Sequence, residues 1–199
     1  VSGKDSTAKF ALDKLHEYGI AANMFEDTSR PTSLKQRYRA AGKTLLRVSH
    51  LRQHSISQQI ADEILKAVKA ALLKSDLVIF SDFNYGCLPQ SLVDEIVTIC
   101  RNRKILMVAD SQSSSQMGDV ARFKGMLLLT PTEREARLAV RDFDSGLVVL
   151  AEKLRKKARA KNIVLTLGSE GLLTHAVSKK NENINDRLPA FNTAPKDAA

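Results

Sequence analysis

Cysteine is scarce in this chain: Cys87 and Cys100 are the only two, without CxxC spacing. That excludes a redox motif or zinc ribbon and leaves two reduced structural thiols around one predicted helix. Aromatic residues make up only 5% and do not interleave with the basic runs, so the stacking surface that nucleic-acid strands require is lacking. No apolar run approaches the roughly 20 residues that span a bilayer, and no secretory pattern opens the sequence. Internal repeats and low-complexity tracts are also absent. The reading is a cytoplasmic protein with neither nucleic acid nor membrane as partner.

Acidic residues are outnumbered, 22 against 31 Lys and Arg, for a net charge of +9. Such a surplus suits a nucleic-acid surface or a site for anionic small molecules such as phosphorylated metabolites. Residues 1–54 hold ten basic and five acidic residues, with the basic ones clustered from Arg30 to Arg39. A second cluster, Arg155-Lys156-Lys157-Ala158-Arg159-Ala160-Lys161, lies at the end of a predicted helix. There cations complement the negative pole of the macrodipole, and a solvated terminus is the plainer account.

With 43% hydrophobic residues over 199 positions, the chain can bury one sizeable core. Four short apolar runs, at 76–80, 104–108, 126–129 and 163–167, read as strands. Each breaks into a polar or glycine-bearing turn. Amphipathic patterns predict helices over 6–18, 56–73, 89–101 and about 146–157. A further helix follows Thr130-Pro131-Thr132-Glu133, read as an N-cap Thr130 with Pro131 at the first helical position. Residues 37–40 and 44–48 predict a basic antiparallel hairpin, and 172–177 a last strand that departs from the parallel order. Strands separated by helices of this length favour a parallel sheet with helices on both faces, with ligands at the carboxyl ends of the strands. The polar stretch 178–199 predicts loop or a poorly ordered tail.

Several motifs admit two readings. Gly42-Lys43-Thr44 resembles the end of a P-loop, but Arg37 stands where its first glycine belongs, and a hairpin turn is the better account. His50 and His54 are spaced for one helix face, yet the glutamate of a zinc motif is missing. Asp82 and Asp110 each close a predicted strand, where a carboxylate holds a metal, orients a hydroxyl or caps a turn. Glu135, in the first turn of a helix, suits the Mg²⁺ of a nucleotide or, with Glu133, simple dipole stabilisation. Gly168 and Gly171 permit close backbone approach to a base or phosphate, or merely a tight turn.

Taken in order, Gly3-Lys4-Asp5, Arg30-Pro31-Thr32-Ser33-Leu34-Lys35-Gln36-Arg37, Ser81-Asp82-Phe83-Asn84-Tyr85-Gly86, Leu129-Thr130-Pro131-Thr132-Glu133-Arg134-Glu135 and Leu165-Thr166-Leu167-Gly168-Ser169-Glu170-Gly171 resemble the ribokinase or PfkB-type carbohydrate kinases. Within them the pattern is most similar to the kinase module of the bifunctional heptose-7-phosphate kinase/adenylyltransferases. The resemblance implies a Rossmann-like α/β/α sandwich with a small β lid at about 35–48, on a kinase core over 1–177. It implies ATP and Mg²⁺ as cofactors and phosphorylation of a sugar or sugar phosphate. By the same resemblance Thr132, Glu133, Arg134, Glu135, Asp110, Thr166, Gly168 and Gly171 face the nucleotide, Glu135 the metal, and Lys35, Arg37 and Asp82 the substrate. The lid would support a homodimer. Thr132 replaces the family's usual Asn, and Tyr85 stands where close relatives have Lys. The family's Gly-Ala-Gly-Asp motif, with its catalytic Asp, would come after Ala199, approached by Asn192-Thr193-Ala194-Pro195-Lys196-Asp197. The resemblance therefore reads as an internal fragment of such a kinase. The alternative is a non-catalytic nucleotide- or partner-binding scaffold on the same fold.

Overall fold

Backbone pairing divides between a two-stranded hairpin and a six-stranded mixed sheet. The computed structural model describes residues 1–41, 43–112, 118–178, 180 and 182–191. The chain groups into two units, one of residues 1–73 with 85–92, the other of 74–84 with 93 onward.

The first unit opens with helix α1 (Ser6–Glu17), capped by Asp5, whose carboxylate accepts from the Ala8 amide at 2.9 Å. The predicted spacing gives a helix, yet none of its residues is buried. Strands β1 (Leu34–Ala40) and β2 (Lys43–His50) form the expected antiparallel hairpin, with Lys35 opposite Ser49 and Arg37 opposite Arg47. Lys43 and Thr44 thus begin a strand, where a P-loop would begin a helix; Gly42 lies outside the described residues. Helix α2 (Gln58–Ala71) is capped by Ser57 and buries Ala61 and Leu65. His50 ends β2, while the His54 ring lies 2.9 Å from the Ser29 hydroxyl, so the two imidazoles do not share a helix.

Arg30 organises this unit. Its Nε donates to Asp27 at 2.6 Å, Nη1 to the Tyr85 carbonyl at 3.0 Å and Nη2 to the His54 carbonyl at 2.9 Å. The side chains of the ion pair are only 5% and 6% exposed, so each charge depends on the other. Hydrogen bonding by the Ser29 hydroxyl, with help from Arg30, holds the Asp27 carboxyl below its ordinary range.

In the second unit β3 (Leu77–Asp82), β4 (Leu106–Ser111), β5 (Leu128–Leu129) and β6 (Asn162–Thr166) run parallel, and β7 (Leu172–Val177) pairs antiparallel with β6, as its sequence predicts. Helices α3 (Gln90–Arg103), α4 (Glu133–Val140) and α5 (Leu147–Ala158) connect them, α3 beginning in the first unit. Cys100 lies buried in α3, which pushes its thiol pKa up, whereas Cys87 precedes that helix. The buried core gathers Phe80, Phe123, Met126, Leu129, Ile163 and Leu165, with Leu150 and Leu154 of α5 among them.

Three local expectations are corrected. Strands β3 and β4 run past the apolar stretches that end at 80 and 108 and through their polar ends, so Asp82 and Asp110 lie in the ladder; backbone pairing does not require apolar side chains. The cap of α4 is Thr132, not Thr130. Pro131 is still extended, its carbonyl accepting from the Thr166 amide at 2.9 Å, and the capping box is formed reciprocally by Thr132 and Glu135. Finally, the expected loop after residue 177 contains β8 (Asn183–Leu188), antiparallel to β7. Asp186 interrupts its alternation and all six residues are exposed, so the sequence carries no strand period; the β7 ladder supplies the order. Residues 192–199, the expected approach to the family's catalytic motif, lie outside the described residues.

One buried polar contact had no sequence signal. His175 of β7, 1% exposed, sits between Glu152 of α5, 2.8 Å from Nε2, and Asn185 of β8, 2.6 Å from Nδ1. It joins helix, strand and edge strand in one network.

Candidate functional site

Parallel register brings the carboxyl ends of β3, β4, β5 and β6 to one rim of the sheet, where ligands of open α/β sheets bind. Hydrogen bonds tie each strand end to the next. Asn84 Nδ2 donates to the Ser111 hydroxyl at 3.2 Å and to the Gln112 carbonyl at 2.6 Å. The Thr130 hydroxyl donates to Asp110 at 3.1 Å, and Thr132 bridges to Thr166.

On this rim lies a pocket of ≈ 430 Å³ lined by Thr132, Glu133, Arg134, Arg137, Phe143, Thr166, Leu167 and Gly168. The structure therefore brings together five of the predicted nucleotide-side residues, Thr132, Glu133, Arg134, Thr166 and Gly168. Sequence reasoning missed Arg137, Phe143 and Leu167. Arg137 had a signal: it is four residues after Glu133 and so on its helix face, where Nε meets the Glu133 carboxylate at 2.8 Å. Its Nη1 reaches the Ser145 carbonyl at 3.1 Å, bracing the loop that carries Phe143. Phe143, 63% exposed, supplies a flat apolar wall; a lone aromatic in a polar turn gives no periodic signal.

The other candidates have different settings. Glu135 is 8% exposed and does not line the pocket; its Oε2 accepts from the Thr132 amide at 2.8 Å. Asp82, 3% exposed, pairs with Arg122 at 2.8 Å and accepts from the Asn84 amide at 2.9 Å, an Asx turn plus a largely buried ion pair. Gly171 adopts φ +94°, and a Cβ there would stand 2.0 Å from the Leu188 carbonyl, so the close approach it permits is to the chain's own β8 end. Gly168, at φ +61°, has open space around it and is required by its turn alone. Lys35 and Arg37 belong to the hairpin of the first unit, where the Lys35 ammonium lies 5.2 Å from the Tyr85 ring centroid.

Among the described residues, no cluster of three His, Cys, Asp or Glu could hold a metal by itself. Glu133 on the pocket wall and Glu135, two residues further along the same helix, give an oxygen set that fits a hard cation only when phosphates supply further ligands, as Mg²⁺ prefers.

The pfkB family carbohydrate kinase model matches residues 1–191. The chain belongs to that family. It is 29% identical over 177 residues to the bifunctional protein HldE of Desulfatibacillum aliphaticivorans, covering 86% of this chain and 35% of the relative. With HldE of Sulfurimonas denitrificans it shares 26% identity over 202 residues, 99% of this chain and 39% of that protein. The chain thus spans little more than a third of the curated relatives it matches. Ribokinase from Giardia lamblia superposes with a TM-score of 0.72 at 20% identity, over 92% of this chain and 59% of that one. Phosphofructokinase-2 from Escherichia coli in complex with fructose-6-phosphate gives 0.66 at 16% identity, over 96% and 62%. These likenesses establish the ribokinase-like α/β fold. For this pfkB chain, no described helix is long and apolar enough to cross a membrane.

Proposed function

We propose that the kinase to which these residues belong transfers the γ-phosphoryl group of ATP to a sugar or sugar phosphate of the heptose-7-phosphate type, as in lipopolysaccharide biosynthesis. The observation that supports this reading is the rim pocket, whose lining holds five residues of the family's nucleotide-side motifs in one place. Phe143 and Leu167 offer an apolar surface for a base, and Arg134 and Arg137 offer positive charge beside the α4 N-terminus, where anions are favoured. Phosphoryl transfer relies on positioning and charge stabilisation, which suits a pocket made of backbone turns and cations. Mg²⁺ would arrive on the nucleotide and neutralise its phosphates, with Glu135 and Glu133 as the nearby carboxylates. Lys35 and Arg37 would hold an anionic acceptor, Asp82 would order the adjoining turn, and the hairpin would serve as lid and dimer surface. The cytoplasm is the compartment that supplies ATP.

Calorimetry with ATP·Mg tests the pocket. The 199-residue chain should bind the nucleotide, and Phe143→Ala, an exposed change that spares the core, should weaken binding about tenfold, or about 1.4 kcal/mol. A folded chain that ignores ATP, or a Phe143→Ala variant that binds as wild type, sinks the assignment. In a chain extended through the family's Gly-Ala-Gly-Asp motif, nucleotide binding with no transfer to any sugar phosphate would support the scaffold alternative.

A further inference from the structure

Phe143 stands on the pocket wall with 63% of its surface exposed, so packing of the ring does little to fix its place. Its position is set by the backbone of residues 141–146, the turn between α4 and α5. That turn is tied on several sides. Arg141 ends α4 in the left-handed region, at φ +56°. Asp142 Oδ1 accepts from the amides of Asp144 at 3.1 Å and Ser145 at 3.0 Å, an Asx turn around the aromatic residue. Lys153 of α5 donates to the Asp142 carboxylate and, at 3.0 Å, to the Ser145 hydroxyl.

Arg137 holds the turn from the α4 side. Its Nη1 donates to the carbonyls of Asp142 at 3.3 Å and Ser145 at 3.1 Å, which bracket Phe143. Its Nε and Nη2 both reach the Glu133 carboxylate, at 2.8 and 2.7 Å. The side chain is only 18% exposed and its charge is matched by Glu133, so what Arg137 adds to the pocket beyond net charge is position. The planar fork suits that task, since a lysine's single ammonium cannot span a carboxylate and two carbonyls at once.

We propose that Arg137 is a positioning residue of the pocket, holding the 142–145 turn so that Phe143 stands in place as a wall for a nucleobase, a role that rests on the nucleotide reading given above. Ordering a loop at the moment of binding takes away affinity, and a turn already fixed avoids that loss. Arg137 thus serves the base through the turn, in addition to the charge it shares with Arg134.

The first test needs no nucleotide. Phe143→Trp introduces the chain's only tryptophan, so its fluorescence reports this turn alone. Added to it, Arg137→Ala should lower the steady-state anisotropy of that indole by about a third, with the far-ultraviolet circular dichroism unchanged. Arg137→Lys, which keeps the charge and the pair with Glu133, should lower it too and serves if Arg137→Ala does not fold. Anisotropy that neither substitution changes would overturn the inference and leave the reading of the pocket untouched.

Nucleotide affinity is the second readout. With Phe143 retained, Arg137→Lys should weaken ATP·Mg about fivefold and leave inorganic tripolyphosphate·Mg within about twofold, because the charge stays and only the base wall is loosened. On a Phe143→Ala background the same substitution should cost less than about twofold. Equal losses for ATP and tripolyphosphate would overturn the inference by assigning Arg137 to the phosphates, as would an undiminished loss in the absence of Phe143. A chain that shows the anisotropy change yet ignores ATP sinks the reading of the pocket, and the base with it, while the hold of Arg137 on the turn stands.

Discussion

At the rim formed by β3 to β6, polar side chains are engaged with one another or with nearby backbone: Asp82 with Arg122, Asn84 with Ser111, Asp110 with Thr130 and Glu135 with the Thr132 amide. The β1–β2 hairpin is arranged differently. It sets Arg37 directly opposite Arg47, flanks them with Lys35 and Arg39, and has no carboxylate in either strand. Like charges directly opposite each other cost a sheet stability. The rim uses side-chain chemistry to hold its backbone turns in place beside the pocket. On the hairpin, positive side chains are concentrated on two adjoining strands that carry no acidic residue.

The sharpest break in that contrast is Arg30, which belongs to the same basic run as Arg37 yet is used as the rim residues are. Arg30→Ala would leave the buried Asp27 carboxylate without its cation and free the Tyr85 and His54 carbonyls. Urea unfolding should register a loss of about 3–5 kcal/mol. A loss under about 1 kcal/mol would mean that the run is functional charge throughout.

Next in size is Gly171, where any side chain meets the Leu188 carbonyl and the backbone is left-handed. Gly171→Ala should cost about 2–3 kcal/mol. Hydrogen exchange should show the loss concentrated in β7 and β8, with the hairpin unaffected.

Acid should separate the two regions further. The Arg155 guanidinium, with His175 and Lys156, holds the Glu152 carboxyl down to about 2 from an ordinary 4.5. A depressed carboxylate contributes stability that is complete above its unfolded value and is lost as pH falls through its folded one. The sheet unit should therefore weaken as pH drops from about 4.5 toward 2, whereas the hairpin strands contain no carboxylate to protonate. Exchange rates followed separately in β7 and β2 across that window report the difference, and equal acceleration in both would remove the distinction.

How much of this was legible follows from the same contrast. The parallel core strands announced themselves through Val/Ile/Leu runs, and the rim turns through their motif residues, because burial and close turns restrict residue choice. Strand β8 did not, since its order comes from a ladder with β7 and not from its own side chains. His175 was silent for a similar reason: its partners Glu152 and Asn185 are 23 and 10 residues away and meet it only in the folded chain. Pocket residue Phe143 escaped because one aromatic in a turn has no period. The capping box was visible but shifted by two residues, because a proline suits the end of an extended segment as readily as the start of a helix.

The smallest expected effect on folding is the one that bears most directly on function. Arg37 projects from an exposed strand and faces Arg47 across the ladder, so Arg37→Ala removes a repulsion and a solvated side chain together. Stability should stay within about 0.5 kcal/mol of wild type. Affinity for a phosphorylated sugar should nevertheless fall about tenfold, and an unphosphorylated sugar should lose much less, since only the former carries the charge that the guanidinium would meet. Equal losses for both sugars would assign Arg37 to shape and not to charge. Unchanged affinity for both would mean that the basic face of the hairpin serves something other than the acceptor.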